Sequence, residues 1–153
     1  AEVAAADRRV LHLQLHTLYG LGAPSPFMFL GQLLHAITSG QRFRMSSGRQ
    51  LREYHHVADD AAAILHLAAN APAGVHALGH GEAVTLLSLA EAVLAAFGRP
   101  DLLAAGELPE AAGETYAPIG GKSLLIQGLA FRDTLPSVTE YLRAQAKGEG
   151  TAA

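Results

Sequence analysis

The sequence predicts an α/β chain, on three observations. Residues 10 to 18 alternate Leu11, Leu13 and Leu15 with His12, Gln14 and His16, the period of two of an extended strand. Segments near 26–40 and 85–98 instead carry apolar residues at helical spacing and stop at glycine. Between them, Gly74 to Leu78 reads as another short extended run.

The elements follow in order. The strand at 10–18 ends at Tyr19 and Gly20, and Gly22, Pro24 and Pro26 supply turn chemistry, with Pro26 placed to open a helix. Leu30, Leu33, Leu34 and Ile37 then share one helical face up to Gly40. Arg42, Arg44, Arg49 and Arg52 fall around a turn at Ser46, Ser47 and Gly48, and Leu51 to Val57 is expected to be extended. Asp59 and Asp60 suit a helix start, because carboxylates are favoured at the positive end of the helix dipole, and Pro72 forbids its continuation. Thr85 is expected to cap the helix striped by Leu86, Leu89, Ala90, Val93, Leu94 and Phe97. Residues 100–121 show weak periodicity, Lys122 to Leu129 reads as a strand or a helical turn, and a last helix starts at Thr134 with Leu135, Val138 and Leu142 inward. Residues 1–146 are expected to form one unit and 147–153 a disordered tail.

Composition narrows the function. A chain of 153 residues, half of them apolar, can bury a core. With no cysteine it has no disulfides or thiolate zinc sites, which fits a reducing, cytoplasmic setting. A net charge of −3 argues against tracking nucleic-acid phosphates, and no apolar run is long enough to span a bilayer.

The motifs are sparse. Four arginines beside a turn can present planar forks to a phosphate or carboxylate, or simply form a solvated edge. In an extended Leu51–Tyr54 segment, Arg52 and Tyr54 share a face, presenting a guanidinium and a phenol together. The eight histidines predict no metal site: His12 and His16 on one strand lie roughly 13 Å apart, and His55 and His56 point to opposite faces. Gly79, His80 and Gly81 form a candidate anion-binding turn, a weak signal by itself. Gly120 to Ser123 lacks the earlier glycine of a phosphate loop, and no Gly-x-Gly-x-x-Gly, Tyr-x-x-x-Lys or Gly-x-Ser-x-Gly occurs.

The order of pieces is more specific than any one of them. A strand ending in Leu18, Tyr19 and Gly20 is followed by a helix, then by Gly48-Arg49-Gln50-Leu51-Arg52-Glu53-Tyr54-His55-His56-Val57-Ala58-Asp59, then by Gly74-Val75-His76-Ala77-Leu78-Gly79-His80-Gly81. This resembles the C-terminal half of extended short-chain dehydrogenases/reductases, the NAD-dependent epimerase/dehydratase family, over about residues 8 to 98. The family pattern is a Tyr-Gly, a Gly-x-x-x-Arg-Asp-Tyr/Phe-x-x-Val-x-Asp segment and an Asn-x-Gly-x-Gly turn; Glu53 stands for its Asp and Ala77 for its Asn.

The resemblance implies the last parallel strands of a Rossmann-type extended fold plus a small α/β substrate-binding subdomain. It implies a nucleotide-sugar substrate, with Arg52 on the diphosphate, Phe43 near the base, and Tyr19, Tyr54 and Arg44 completing the substrate-binding set. Asp59 would be a helix-capping, structural residue. NAD or NADP would be bound mainly by an upstream part carrying the Gly-rich loop and the catalytic Tyr and Lys, and the longer enzyme could be a homodimer. The chain, starting at Ala1 without methionine, is accordingly expected to be a substrate-binding half that is inactive alone. The alternative is a non-catalytic binding or regulatory module that uses the arginine hairpin for an anionic ligand or a protein partner.

Overall fold

The computed structural model describes residues 10–114, 116–117 and 121–149. The expectations about Ala1–Glu2, about Gly120 and about 150–153 lie outside them. In order the elements are β1 (Leu11–Gln14), β2 (Thr17–Tyr19), α1 (Phe29–Ser39), β3 (Phe43–Met45), β4 (Leu51–Arg52), β5 (Tyr54–His56), α2 (Val57–Asn70), β6 (Gly74–Ala77), β7 (Val84–Thr85), α3 (Leu86–Ala96), β8 (Leu103–Ala105) and α4 (Thr134–Glu149), with single 3-10 turns at Pro100–Leu102 and Leu124–Ile126.

The strands pair two by two. β1 runs parallel to β6, β2 to β5 and β3 to β8, while β4 and β7 are antiparallel. The α/β class with parallel strands therefore stands, but the strand expected over 10–18 is two. β1 takes β6 as partner and β2 takes β5, so the chain turns at Leu15 and His16 and its alternation slips by one. Leu15 and Leu18 face outward, at 42% and 44% exposed, and His16 turns inward. For the same reason Leu51–Val57 is not one strand: β4 and β5 serve different partners, and Val57 already opens α2.

α1 starts three residues later than Pro26 suggested. Met28 is its extended N-cap, and the Met28 amide donates to the Ser25 carbonyl, closing the turn that contains Pro26. That turn lies on the helix at Gly31, where a Cβ would sit 2.0 Å from the Ser25 oxygen, so only glycine fits. At α2 the cap is His56, whose side chain accepts from the Ala58 amide, rather than an aspartate. Asp59 instead accepts from the Arg132 backbone amide and guanidinium, tying down the stretch before α4. Thr85 caps α3 as expected, its hydroxyl accepting from the Ser88 amide. Glu82 accepts from the Thr134 amide at the positive end of α4.

The main core lies between α1, α3 and α4, where Leu33, Leu89, Val93, Leu94, Val138 and Leu142 are fully buried. A second cluster of Ala63, Leu67, Leu78 and Ile126 lies under α2. β8 emerges from the weakly patterned 100–121 region because Leu103–Ala105 can pair with β3, a partner 60 residues away that local pattern cannot reveal. The tail expected from 147 remains helical to Glu149.

Candidate functional site

Three of the five predicted site residues converge. Arg52 at the end of β4 and Tyr54 at the start of β5 straddle Glu53, so extended backbone sends both to one side, and β2 runs beside β5 and adds Tyr19. They line a cleft of about 360 Å³ with Thr17, Leu21, Pro24, Ser25, Met28, Leu86 and Tyr141. The Tyr141 hydroxyl donates to the Gly22 carbonyl and holds the 20–25 loop at its mouth.

Phe43 and Arg44 lie elsewhere. They line a separate cavity of about 660 Å³ with Pro26, Gly31, His35 and Arg42, on the flank of α1. Phe43 is 4% exposed and packs edge-on against Phe29, which makes it part of the core. Ala23 and Pro24 border both cavities.

The arginines are already engaged. Arg42 and Arg44 grip Glu107 at 2.6 and 3.1 Å, and the Arg49 guanidinium lies 4.9 Å over the Tyr116 ring. Arg52 donates to Glu114 at 2.9 Å and to the Leu51 carbonyl at 2.7 Å, with the Gln50 amide also reaching Glu114. The open basic edge expected from the sequence is thus lined with carboxylates from 107–114. The signal was present: three glutamates at 107, 110 and 114 are opposite in charge to the four arginines of the hairpin.

All four tyrosines have their pKa raised. Burial pushes Tyr54 up to about 12, with Arg52 countering only in part, and burial likewise raises Tyr19 and Tyr141. Tyr116 is raised chiefly by its hydrogen bond to Glu110. A phenol working as a base near neutrality needs the opposite shift. These phenols therefore remain protonated donors.

On the far side of β5 lies a cluster that sequence reasoning missed. Glu53 and His55 are each 1% exposed, since they occupy the alternate positions to Arg52 and Tyr54. The Glu53 carboxylate accepts from the amides of His80 and Gly81 at 2.8 and 3.2 Å, so the glycine turn does bind an anion, an internal one. His55 Nε2 meets Glu53 at 2.9 Å, while His55 Nδ1 and His80 Nε2 both approach Asp60 Oδ1, at 2.9 and 2.8 Å. Burial opposes charge on all three partners, and the mutual contacts outweigh it: His55 is pushed up to about 9, and Asp60 and Glu53 are lowered. The alternation that pairs Arg52 with Tyr54 pointed equally to Glu53 with His55.

His55, Asp60 and His80 bring ligand-type atoms within 4.8 Å of one another. The two imidazoles, however, are stacked at 3.5 Å with planes 2° apart, so no single atom can lie in the plane of both. A metal binds imidazole nitrogen in the ring plane, so one ion cannot be held squarely by both rings. By the same geometry Asp60 Oδ1 is in charge contact with His55 Nδ1 and His80 Nε2 without an aligned hydrogen bond to either. Phe131 stacks on the outer face of His80 at 3.6 Å, and Lys122 donates to the Leu129 carbonyl beside it, closing the cluster.

Residues 1–80 match the NAD dependent epimerase/dehydratase family. The chain belongs to that family. No curated protein sequence matches it. Among solved structures, dTDP-glucose 4,6-dehydratase from Bacillus anthracis in complex with NAD is similar at a TM-score of 0.76 and 16% identity, covering 92% of this chain and 46% of that one. UDP-N-acetylglucosamine 4-epimerase from Methanobrevibacter ruminantium, in complex with UDP-N-acetylmuramic acid, gives 0.71 and 21%, covering 94% and 46%. MoeE5 in complex with UDP-glucose and NAD gives 0.67 and 26%, covering 94% and 48%. This epimerase/dehydratase-family chain thus spans about half the length of the structures it resembles, and it shares their Rossmann-type fold over that half.

The described residues do not form a dinucleotide cradle. No Gly-x-Gly-x-x-Gly follows a strand, and the two amides of the Gly79–Gly81 turn that could meet a phosphate are taken by Glu53.

Proposed function

We propose that this chain is the substrate-binding half of an NAD(P)-dependent sugar-nucleotide epimerase, dehydratase or reductase, and that the Tyr19, Arg52 and Tyr54 cleft receives a nucleoside-diphosphate sugar. The observation that carries this is the convergence of a guanidinium and two protonated phenols on one cleft in a chain of this family. Arg52 would meet the diphosphate, since a planar guanidinium matches phosphate oxygens and such charge-assisted bonds are the strong ones. Tyr54 and Tyr19 would donate to the ligand, and the Tyr141-held loop would close over the sugar.

Hydride transfer is assigned to an upstream part that would bind most of the NAD or NADP: no Gly-x-Gly-x-x-Gly occurs in this sequence, and all four tyrosines are shifted away from acting as a base. The isolated chain is therefore inactive in this reading. The rival binding module would draw on Arg42 and Arg44 as well, and both are held by Glu107 away from the cleft.

Calorimetric titration with UDP-glucose and dTDP-glucose tests the assignment. Arg52→Ala should weaken binding at least tenfold, the loss expected for a charged hydrogen bond of about 1.5–3 kcal/mol. Unchanged affinity refutes the role of Arg52, and hydride transfer by the 153-residue chain alone refutes the assignment of chemistry elsewhere.

A further inference from the structure

Glu107, Glu110 and Glu114 lie along the arginine hairpin in register with it. Glu107 takes Arg42 and Arg44, Glu110 accepts from the Ser47 amide at 3.1 Å, and Glu114 takes Arg52 and Gln50. The Tyr116 hydroxyl donates to Glu110 at 2.6 Å, while its ring lies under Arg49. Backbone bonds from Gly106 to the Ser46 carbonyl and from Leu108 to the Met45 carbonyl anchor one end of this strap beside β3. Beyond Leu108, the Glu110 and Glu114 side chains reach the hairpin.

Glu114 is the decisive member. Its carboxylate sits on the one guanidinium of the hairpin that lines the Tyr19 and Tyr54 cleft. A carboxylate and a phosphate ask the same thing of a guanidinium, two oxygens in the plane of the fork. Arg52 places Nη1 on the Leu51 carbonyl and Nη2 on one Glu114 oxygen, the other Glu114 oxygen meeting Gln50, so a diphosphate that takes the Nη2 edge must displace Glu114. Two adjacent anions on one arginine would also repel each other in a cleft only partly open to water.

Resting on the proposed substrate role of Arg52, we propose that the 107–114 strap is an internal competitor for the phosphate clamp. Glu114 occupies Arg52 in the ligand-free chain, and a diphosphate displaces it and loosens the strap. The strap keeps the cationic cleft neutral when empty and makes binding depend on an anion strong enough to exchange with a carboxylate. Its cost to affinity is that of one partly buried ion pair, somewhat above the exposed-pair range, a factor of about three to ten.

The test titrates the full chain with UDP-glucose and, separately, with inorganic pyrophosphate. Glu114→Gln should tighten both about threefold to tenfold, while Arg52→Ala weakens both. A Glu114→Gln variant that binds either probe more weakly, or unchanged, overturns the competitor role and makes Glu114 a positioning residue for Arg52. If pyrophosphate tightens but UDP-glucose binds no variant, the strap stands and the nucleotide-sugar reading falls. If neither probe binds wild type or variant, both fall. A second measurement needs no variant: hydrogen exchange of the 106–114 peptide should speed up when pyrophosphate saturates the wild-type chain, and slower or unchanged exchange overturns release of the strap.

Discussion

Replacing Glu53 with alanine removes the acceptor for three donors at once: the His55 ring at 2.9 Å and the amides of His80 and Gly81 at 2.8 and 3.2 Å. The two amides are only partly buried, so each is charged at the low end of the cost of an unmet donor, about 1 kcal/mol. His55 is fully buried and loses a charged partner, worth about 2 kcal/mol. Glu53→Ala should therefore destabilise the fold by about 4 kcal/mol, a large share of the roughly 5–15 kcal/mol of a typical domain. Urea unfolding followed by far-ultraviolet circular dichroism measures it, the midpoint falling with the slope unchanged. Glu53→Asp keeps the charge but is one methylene shorter and should lose only about 1–2 kcal/mol. A Glu53→Ala chain within 1 kcal/mol of wild type would show that the buried carboxylate does not hold the Gly79–Gly81 turn, and the reasoning about this cluster would fail.

The same cluster makes stability depend on pH. His55 has its pKa raised to about 9, so its stabilisation is complete below the ordinary histidine value and is lost as pH rises through about 9. Unfolding free energy should drop by about 2–3 kcal/mol between pH 6 and 10, and His55→Gln should flatten that limb. An unchanged alkaline limb in His55→Gln would assign the loss to another group. Glu53 and Asp60 are lowered, so their contribution is present above the usual carboxylate range and lost as pH falls below it. Gly48→Ala tests the hairpin turn: its φ is +68°, and a Cβ would sit 2.9 Å from the Leu87 amide nitrogen, which itself donates to the Gly48 carbonyl. A loss of about 2–3 kcal/mol is expected from left-handed strain and backbone crowding, read as a lowered melting temperature, and a neutral effect would show that the turn can relax.

What could be read without coordinates was local. The stripe of Leu86, Leu89, Ala90, Val93 and Leu94, its Thr85 cap and its stop at Gly98 appear where the pattern placed them, because helix periodicity, capping and glycine punctuation act within a few residues. The shared side of Arg52 and Tyr54 was legible for a similar reason: alternation in extended backbone survives the break between β4 and β5. The errors fall where partners are distant. The slip at His16 and the strand at 103–105 each depend on a segment whose arrival no local rule announces, while the His56 cap is a contact with the Ala58 amide made by a residue type outside the usual cap set.

For this chain, sequence alone determined the α/β class, the family resemblance and the pairing of a guanidinium with a phenol, since spacing and residue order carry all three. Tertiary structure alone decided what those groups meet. It placed Phe43 in the core, put carboxylates from 107–114 on arginines more than 50 residues away, and turned Glu53, His55, Asp60 and His80 into one buried network. The physical reason is that a charge's function depends on its partner and its solvation, and both are set by chain segments that meet only when the fold closes.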